Sequence, residues 1–153
     1  MAQAARWMRM RIDSDGEPQA ACAGLAAALP AAADPILVWL RSARECAYAL
    51  IAPCRLAPGR AWRWRAWGAM PAVATCRQYG LPAYLEGDAI WMHGRRVAEV
   101  TAARVGECAV IEGAFPARLA AEPELETKFR ERIEAQHGWR FDTAWLSGGE
   151  ARR

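Results

Sequence analysis

"EGDAIWMHGRRVAEV", Glu86 to Val100, is the stretch on which the reading of the fold turns. "AIWM" and "RRVAEV" are short runs of apolar and basic residues with strand character. Between them stands His93-Gly94, a pair suited to a two-residue reversal because glycine accepts the positive φ that a tight hairpin turn requires. The expectation is a hairpin, with Asp88 at its entry as a turn-capping residue. Downstream, "TAARVGECAVIEGAF" offers a second reversal at Val105 to Glu107. Ala89 to Phe115 therefore reads as a three-strand antiparallel meander.

Working outward, Trp62 to Tyr79 has helical spacing. Trp64, Trp67, Met70 or Pro71, Ala74 and Cys76 recur near a 3.6-residue period, and Gly80 stands where a helix stops. Pro71 inside the run predicts a kink or a later start. The Trp/Arg-rich opening, "GRAWRWRAWG", cannot place three tryptophans on one helix face; Trp64 and Trp67 turn to the core and Trp62 stays at the mouth. "EPELETKFRERIEAQHG" is a second clear helix. Pro123 and acids open it, Leu125, Phe129 and Ile133 line one face, and His137 sits by the negative end of the macrodipole before Gly138. "WRFDTAW" follows as a short apolar tail.

Toward the N-terminus, "WMRMRI" alternates as a half-buried strand, Asp13 to Asp15 are N-cap candidates, and a helix over 18–29 stops at Pro30. "ILVWL" (36–40) is a buried strand, "RSARE" a turn, and "CAYALIAPC" a strand whose Pro53 marks an edge or a bend. The fold class is α+β, a mainly antiparallel sheet covered by helices, in one domain over 1–145 with a flexible tail over 146–153.

The 153 residues are 54% hydrophobic and 24% charged, with a formal net charge of +3, which is a globular composition with no strong electrostatic pull toward nucleic acid. No run of about 20 apolar residues is present, so neither a membrane span nor a secretory leader is expected, and cytoplasmic residence is the default. The five cysteines are scattered and read as reduced, mostly buried thiols. His93 and His137 stand apart from them, so no metal is expected.

The ordered segments resemble the catalytic domain of biotin and lipoate protein ligases. Gly87-Asp88-Ala89-Ile90 stands where that family has Asn-Asp-Ile/Leu, and Gly94-Arg95-Arg96-Val97-Ala98-Glu99-Val100 where it has Gly-Arg-Lys-Val-Ala-Gly-Ile. "CAYALIAPCRLAP", the 68–80 helix, "CAVIEGAF" and "RIDSD" are similar to further family segments in the same order. The resemblance implies the family's fold and, in a working member, ATP-dependent activation of biotin, lipoate or octanoate and transfer to a lysine of an acceptor protein.

Several positions depart from the family pattern. The family's glycine- and arginine-rich adenylate loop is replaced by the five residues Arg41 to Glu45, which keep only Arg41 and Arg44 of its cations. The hairpin lysine is Arg96, the asparagine before Asp88 is Gly87, a glycine is Glu99 and a later asparagine is Phe115. The resemblance leaves Asp88, Gly94, Arg96, Arg41 and Arg44 as candidate ligand-binding residues, with no side chain marked as catalytic. The expected function is a degenerate, non-catalytic ligase-like protein that binds a small carboxylic acid or a protein partner. The alternatives are an active acyl, biotinyl or lipoyl ligase or transferase with a remodelled site, using ATP with biotin or lipoate/octanoate, and an interaction module built on the Trp/Arg surface. An exposed antiparallel edge also admits a homodimer.

Overall fold

The computed structural model describes residues 2–11 and 17–142. The N-cap candidates Asp13 to Asp15 and the 146–153 tail lie outside the described residues. A six-stranded mixed sheet forms the centre. Its strands are β1 (Gln3–Arg11), β2 (Ile36–Arg41), β3 (Cys46–Pro53), β7 (Thr101–Val105), β8 (Cys108–Ala114) and β9 (Trp139–Phe141), in the order β7-β8-β3-β2-β1-β9. β1 runs parallel to β2 and to β9, and the other pairs are antiparallel. A second, antiparallel sheet holds β4 (Tyr84–Glu86), β5 (Ala89–Met92) and β6 (Arg95–Glu99).

The alternation of strand residues sorts the core into two layers. Ile36, Val38, Ala49, Ile51, Cys108 and Val110 face α1 (Glu17–Ala28), which contributes Cys22 and Ala26, with Leu29 just past its end. Leu37, Trp39, Tyr48, Leu50, Ala109 and Ile111 face α2 (Trp64–Gln78), α3 (Leu125–His137) and the small sheet. The second layer is dominated by rings. Trp7, Trp39, Tyr48, Phe115 and Phe129 form a continuous cluster with centroids 4.8–6.3 Å apart. Phe115, which the sequence resemblance sets against an asparagine, is thus an aromatic core residue. α2 comes unusually close to the sheet at Gly68, where an added Cβ would stand 2.6–2.8 Å from the Ile111 side chain.

The structure corrects several sequence expectations. The expected three-strand meander is four strands in two sheets. β6 and β7 are separated only by Val100, a fully buried residue at which the chain crosses from one sheet to the other. Its amide donates to Asp88 O (2.7 Å), and its carbonyl accepts from Arg65 Nε of α2 (2.9 Å), so both backbone groups are satisfied at the crossing. "WRF" is no tail: β9 adds to the outer side of β1. β3 is internal, so Pro53 marks a bend at the strand's end rather than a sheet edge. α2 begins at Trp64 and runs through Pro71, whose ring is buried where Met70 is exposed. Trp62 is 76% exposed, whereas Trp64 is buried and Trp67 packs on His137 and Trp139, as the opening motif predicts.

His137 also departs from expectation. Its ring stacks on Trp67 at 4.6 Å, and its Nε2 is buried without a hydrogen-bond partner. Burial pulls its pKa down from 6.5 to about 4, so it is neutral and contributes stacking rather than a charge for the helix dipole.

Candidate functional site

The sequence candidates separate into two groups. The first lies on the β5–β6 hairpin. His93 (φ 52°) and Gly94 (φ 72°) both adopt the left-handed backbone of a two-residue hairpin turn, so Gly94 acts through its conformation. Arg96 Nη2 lies 3.4 Å from Asp88 Oδ2 and 3.9 Å from Glu99 Oε2. The hairpin therefore brings two candidates, Asp88 and Arg96, onto each other. All three side chains are about half exposed or more, so the pairing is weak in energy, but it surrounds the guanidinium with two carboxylates.

The second group lies at the carboxyl ends of the parallel strands β1 and β2. Residues two apart share a face of a strand, and Arg11 is in register with Arg41 as Arg9 is with Trp39. All four side chains point to the α3 side of the sheet. They line a cleft of about 780 Å³ with Met10, Ser42, Ala43 and Glu126. A hollow of about 660 Å³ shares Arg11, Arg41, Ser42 and Ala43 and extends the cleft to Arg44, Glu45 and Ala117. No residue of the hairpin lines either.

The charges in the cleft are arranged unequally. Glu126 Oε2 accepts from Trp7 Nε1 (2.6 Å) and Arg9 Nε (2.7 Å), so this carboxylate is held by two donors. Arg11 and Arg41 have no carboxylate within ion-pair distance among the described residues. Arg41 Nη2 donates to Ala120 O at 3.3 Å, which ties it to the turn before α3. Trp39 Nε1 at the floor is a buried donor without a partner. Two exposed like charges side by side and a buried unpaired donor favour an anion.

The Ser42–Glu45 turn supplies no backbone cradle. Ser42 N–H donates to Glu45 O (2.9 Å), while the Arg44 and Glu45 N–H groups donate to Ser42 Oγ (3.2 and 3.0 Å). A nucleotide phosphate needs several outward N–H groups, and here those of Ser42, Arg44 and Glu45 are spent within the turn. This turn therefore offers an adenylate phosphate no cradle of backbone N–H groups.

A third hollow, of about 260 Å³, opens on the α1 side between Cys22, Leu40, Glu99, Thr101 and Glu112. Burial raises the pKa of Glu112. The Cys22 and Cys76 thiols are pushed up to about 11 by burial first of all, so both are protonated at neutral pH and poor nucleophiles. Among the described residues no group of three His, Cys, Asp or Glu is placed to hold a metal, and no helix is long and apolar enough to cross a membrane.

Arg9, Arg11, Trp39 and Glu126 were not singled out by the sequence. The alternation of "WMRMR" places Arg9 and Arg11 on one face, but only the parallel register with "ILVWLR" shows what that face meets.

No protein-family model and no curated protein matches the sequence. Solved structures do match in three dimensions. A bipartite lipoate protein ligase from Thermoplasma acidophilum superimposes with a TM-score of 0.71 at 8% identity, over 93% of this chain and 86% of that one. A lipoate-protein ligase A bound with ATP gives 0.65 at 9% identity, over 93% and 89%. The biotin acetyl coenzyme A carboxylase synthetase of Helicobacter pylori, with bound biotinylated ATP, gives 0.60 at 12%, over 97% and 80%. These superpositions extend over nine-tenths or more of the chain: the chain has the fold of the lipoate and biotin protein ligase catalytic domain.

Proposed function

We propose that this chain is a ligase-fold protein that has lost adenylation and holds a small carboxylic acid, without activating it, in the arginine cleft. The observation that carries the reading is the juxtaposition of Arg11 and Arg41, in register on adjacent parallel strands and without a carboxylate partner among the described residues. A carboxylate between two guanidinium groups receives charge-assisted hydrogen bonds and relieves their mutual repulsion. Met10, Trp39 and Ala43 give the cleft an apolar side, which suits an acid with a hydrocarbon body such as octanoate or lipoate.

Loss of adenylation is supported by two features. The turn that replaces the family's loop bonds its own amides, and the arginine at the family's lysine position is paired with Asp88 and Glu99. ATP is therefore not assigned as a cofactor, and no acyl transfer to an acceptor protein follows.

Thermal unfolding with octanoate, lipoate, biotin, ATP and a non-hydrolysable acyl-adenylate analogue tests this. A ligand at 100 times its Kd adds about 2.7 kcal/mol, which raises Tm by roughly 5–10 °C in a domain of this size. An acid is expected to stabilise the wild type and not Arg41→Ala, with no response to ATP. Stabilisation by ATP or by the adenylate analogue contradicts the loss of chemistry, and indifference to every acid contradicts the cleft.

A further inference from the structure

The cleft does not account for the Trp/Arg-rich segment that opens α2. Among the described residues the exposed large hydrophobics are Trp62, Met70 and Tyr84, at 76%, 37% and 37%. Two of them belong to α2 or the turn leading into it, and the third opens β4 directly after Ala83, whose carbonyl accepts from Arg77 Nε of α2 (2.9 Å). Along the helix, Arg63, Ala66, Met70, Ala74 and Arg77 fall three or four residues apart and form one outward stripe of exposed or half-buried positions. The alanines on either side of Met70 leave the helix backbone open to close approach by another helix.

The segment that carries this stripe has charge of one sign, and the carboxylates that act near it, Glu122 and Glu124, reach only Tyr79 at the far end of the helix. From Cys46 to Leu85 the chain has arginines at 55, 60, 63, 65 and 77 and no acidic residue or other cation, against a net +3 for the whole chain. None of the five is in an ion pair among the described residues. Three are nevertheless fixed, because Arg55, Arg65 and Arg77 each spend Nε on a backbone carbonyl, of Ala31, Val100 and Ala83. Arg63 lies over the Trp62 ring at 6.0 Å. A folded chain that positions guanidinium groups and leaves their charge unmatched is preorganised for anionic side chains, and ordering costs on binding are correspondingly low.

We propose that the outward stripe of α2, headed by Trp62, is a docking face for an acidic amphipathic helix of a partner protein. Trp62 is the aromatic anchor, Ala66, Met70 and Ala74 form the apolar seat, and the flanking arginines pair with the partner's carboxylates. A single exposed indole beside alanine and methionine offers one stacking platform and an aliphatic groove, which suits a helix with leucine-like side chains better than successive nucleic-acid bases. The proposal is independent of the acid cleft, because no cleft residue lies between Cys54 and Leu85.

The test uses the full chain, isotopically labelled, titrated with a Glu-rich helical peptide carrying leucines at i, i+4 and i+7. Its Lys-for-Glu counterpart and a single-stranded DNA are titrated in parallel. The expected result is binding of the acidic peptide, with shifts in the Trp62 indole and in amides 60–78. Trp62→Ala and Arg60→Glu/Arg63→Glu should weaken it by roughly tenfold or more, the loss that accompanies removal of an aromatic anchor. Trp62 is exposed, so Trp62→Ala should keep the wild-type Tm, and Arg41→Ala should bind the peptide normally. Absence of peptide binding, binding undiminished in Trp62→Ala, shifts located elsewhere, or preference for DNA would each overturn the proposal. So would a homodimer that Trp62→Ala dissolves, since the face would then belong to a second copy.

Discussion

The β5–β6 hairpin and the far end of the β1–β2 pair both present arginine, and they treat it in opposite ways. On the hairpin, Arg96 is met by Asp88 and Glu99, so the charge that the sequence resemblance sets against the ligase lysine is answered locally. At the strand ends, Arg11 and Arg41 stand beside each other with no carboxylate partner among the described residues, and the nearby carboxylate of Glu126 is occupied by Trp7 and Arg9. The hairpin is where the sequence looks most like a ligase, and the strand ends are where it looks least like one. Similarity of pattern marks the fold, whereas the capacity to bind follows from which charges are left without partners.

The largest way to break this comparison is to remove the floor on which the cleft rests. Phe129 of α3 is fully buried against Trp7, Trp39, Tyr48 and Phe115. Phe129→Ala is expected to cost about 3–5 kcal/mol, measured by denaturant unfolding, and to abolish acid binding along with the fold. Glu126→Ala should cost about 2 kcal/mol, because it strands the buried Trp7 indole N–H and removes a charged contact of Arg9. Full stability in Glu126→Ala would show that the carboxylate is not the organiser of the cleft.

Acid should weaken the β9 end of the sheet through His137, which packs on Trp67 and Trp139. The folded protein holds this imidazole at about 4, below its ordinary 6.5. The unfolded chain therefore takes up the proton first, and the contribution to stability is complete above about pH 6.5 and declines as the pH falls toward 4. β9 follows directly on His137 and covers β1, so amides of β9 should lose hydrogen-exchange protection in this window before those of the hairpin. His137→Phe should flatten the trend. The smallest effect is expected on the hairpin itself: Arg96→Ala removes only half-exposed ion pairs and should change stability by less than about 1 kcal/mol.

How far the sequence could be read follows from how local each feature is. The two large helices were legible because Trp64 and Trp67, and Leu125, Phe129 and Ile133, repeat within one element, and the His93-Gly94 turn because its backbone demands that chemistry. The crossing at Val100 was hidden, since no glycine or proline marks it and the residues on both sides have strand character. β9 is three residues long and gains its identity only from β1. The site was least legible for the same reason. Arg41 and Arg44 were visible as remnants of a shortened loop, but their partner Arg11 lies thirty positions from Arg41 and is delivered by parallel pairing, a non-local contact with no sequence signature.

Calorimetric titration of octanoate into the wild type, Arg41→Ala and Arg96→Ala tests the central claim most directly. Acid binding by the unpaired arginines predicts a loss of about tenfold or more in Arg41→Ala, in keeping with removal of a charge-assisted contact, and an unchanged Kd in Arg96→Ala. The reverse pattern, with Arg96→Ala losing the ligand and Arg41→Ala keeping it, would return the site to the hairpin and contradict the account.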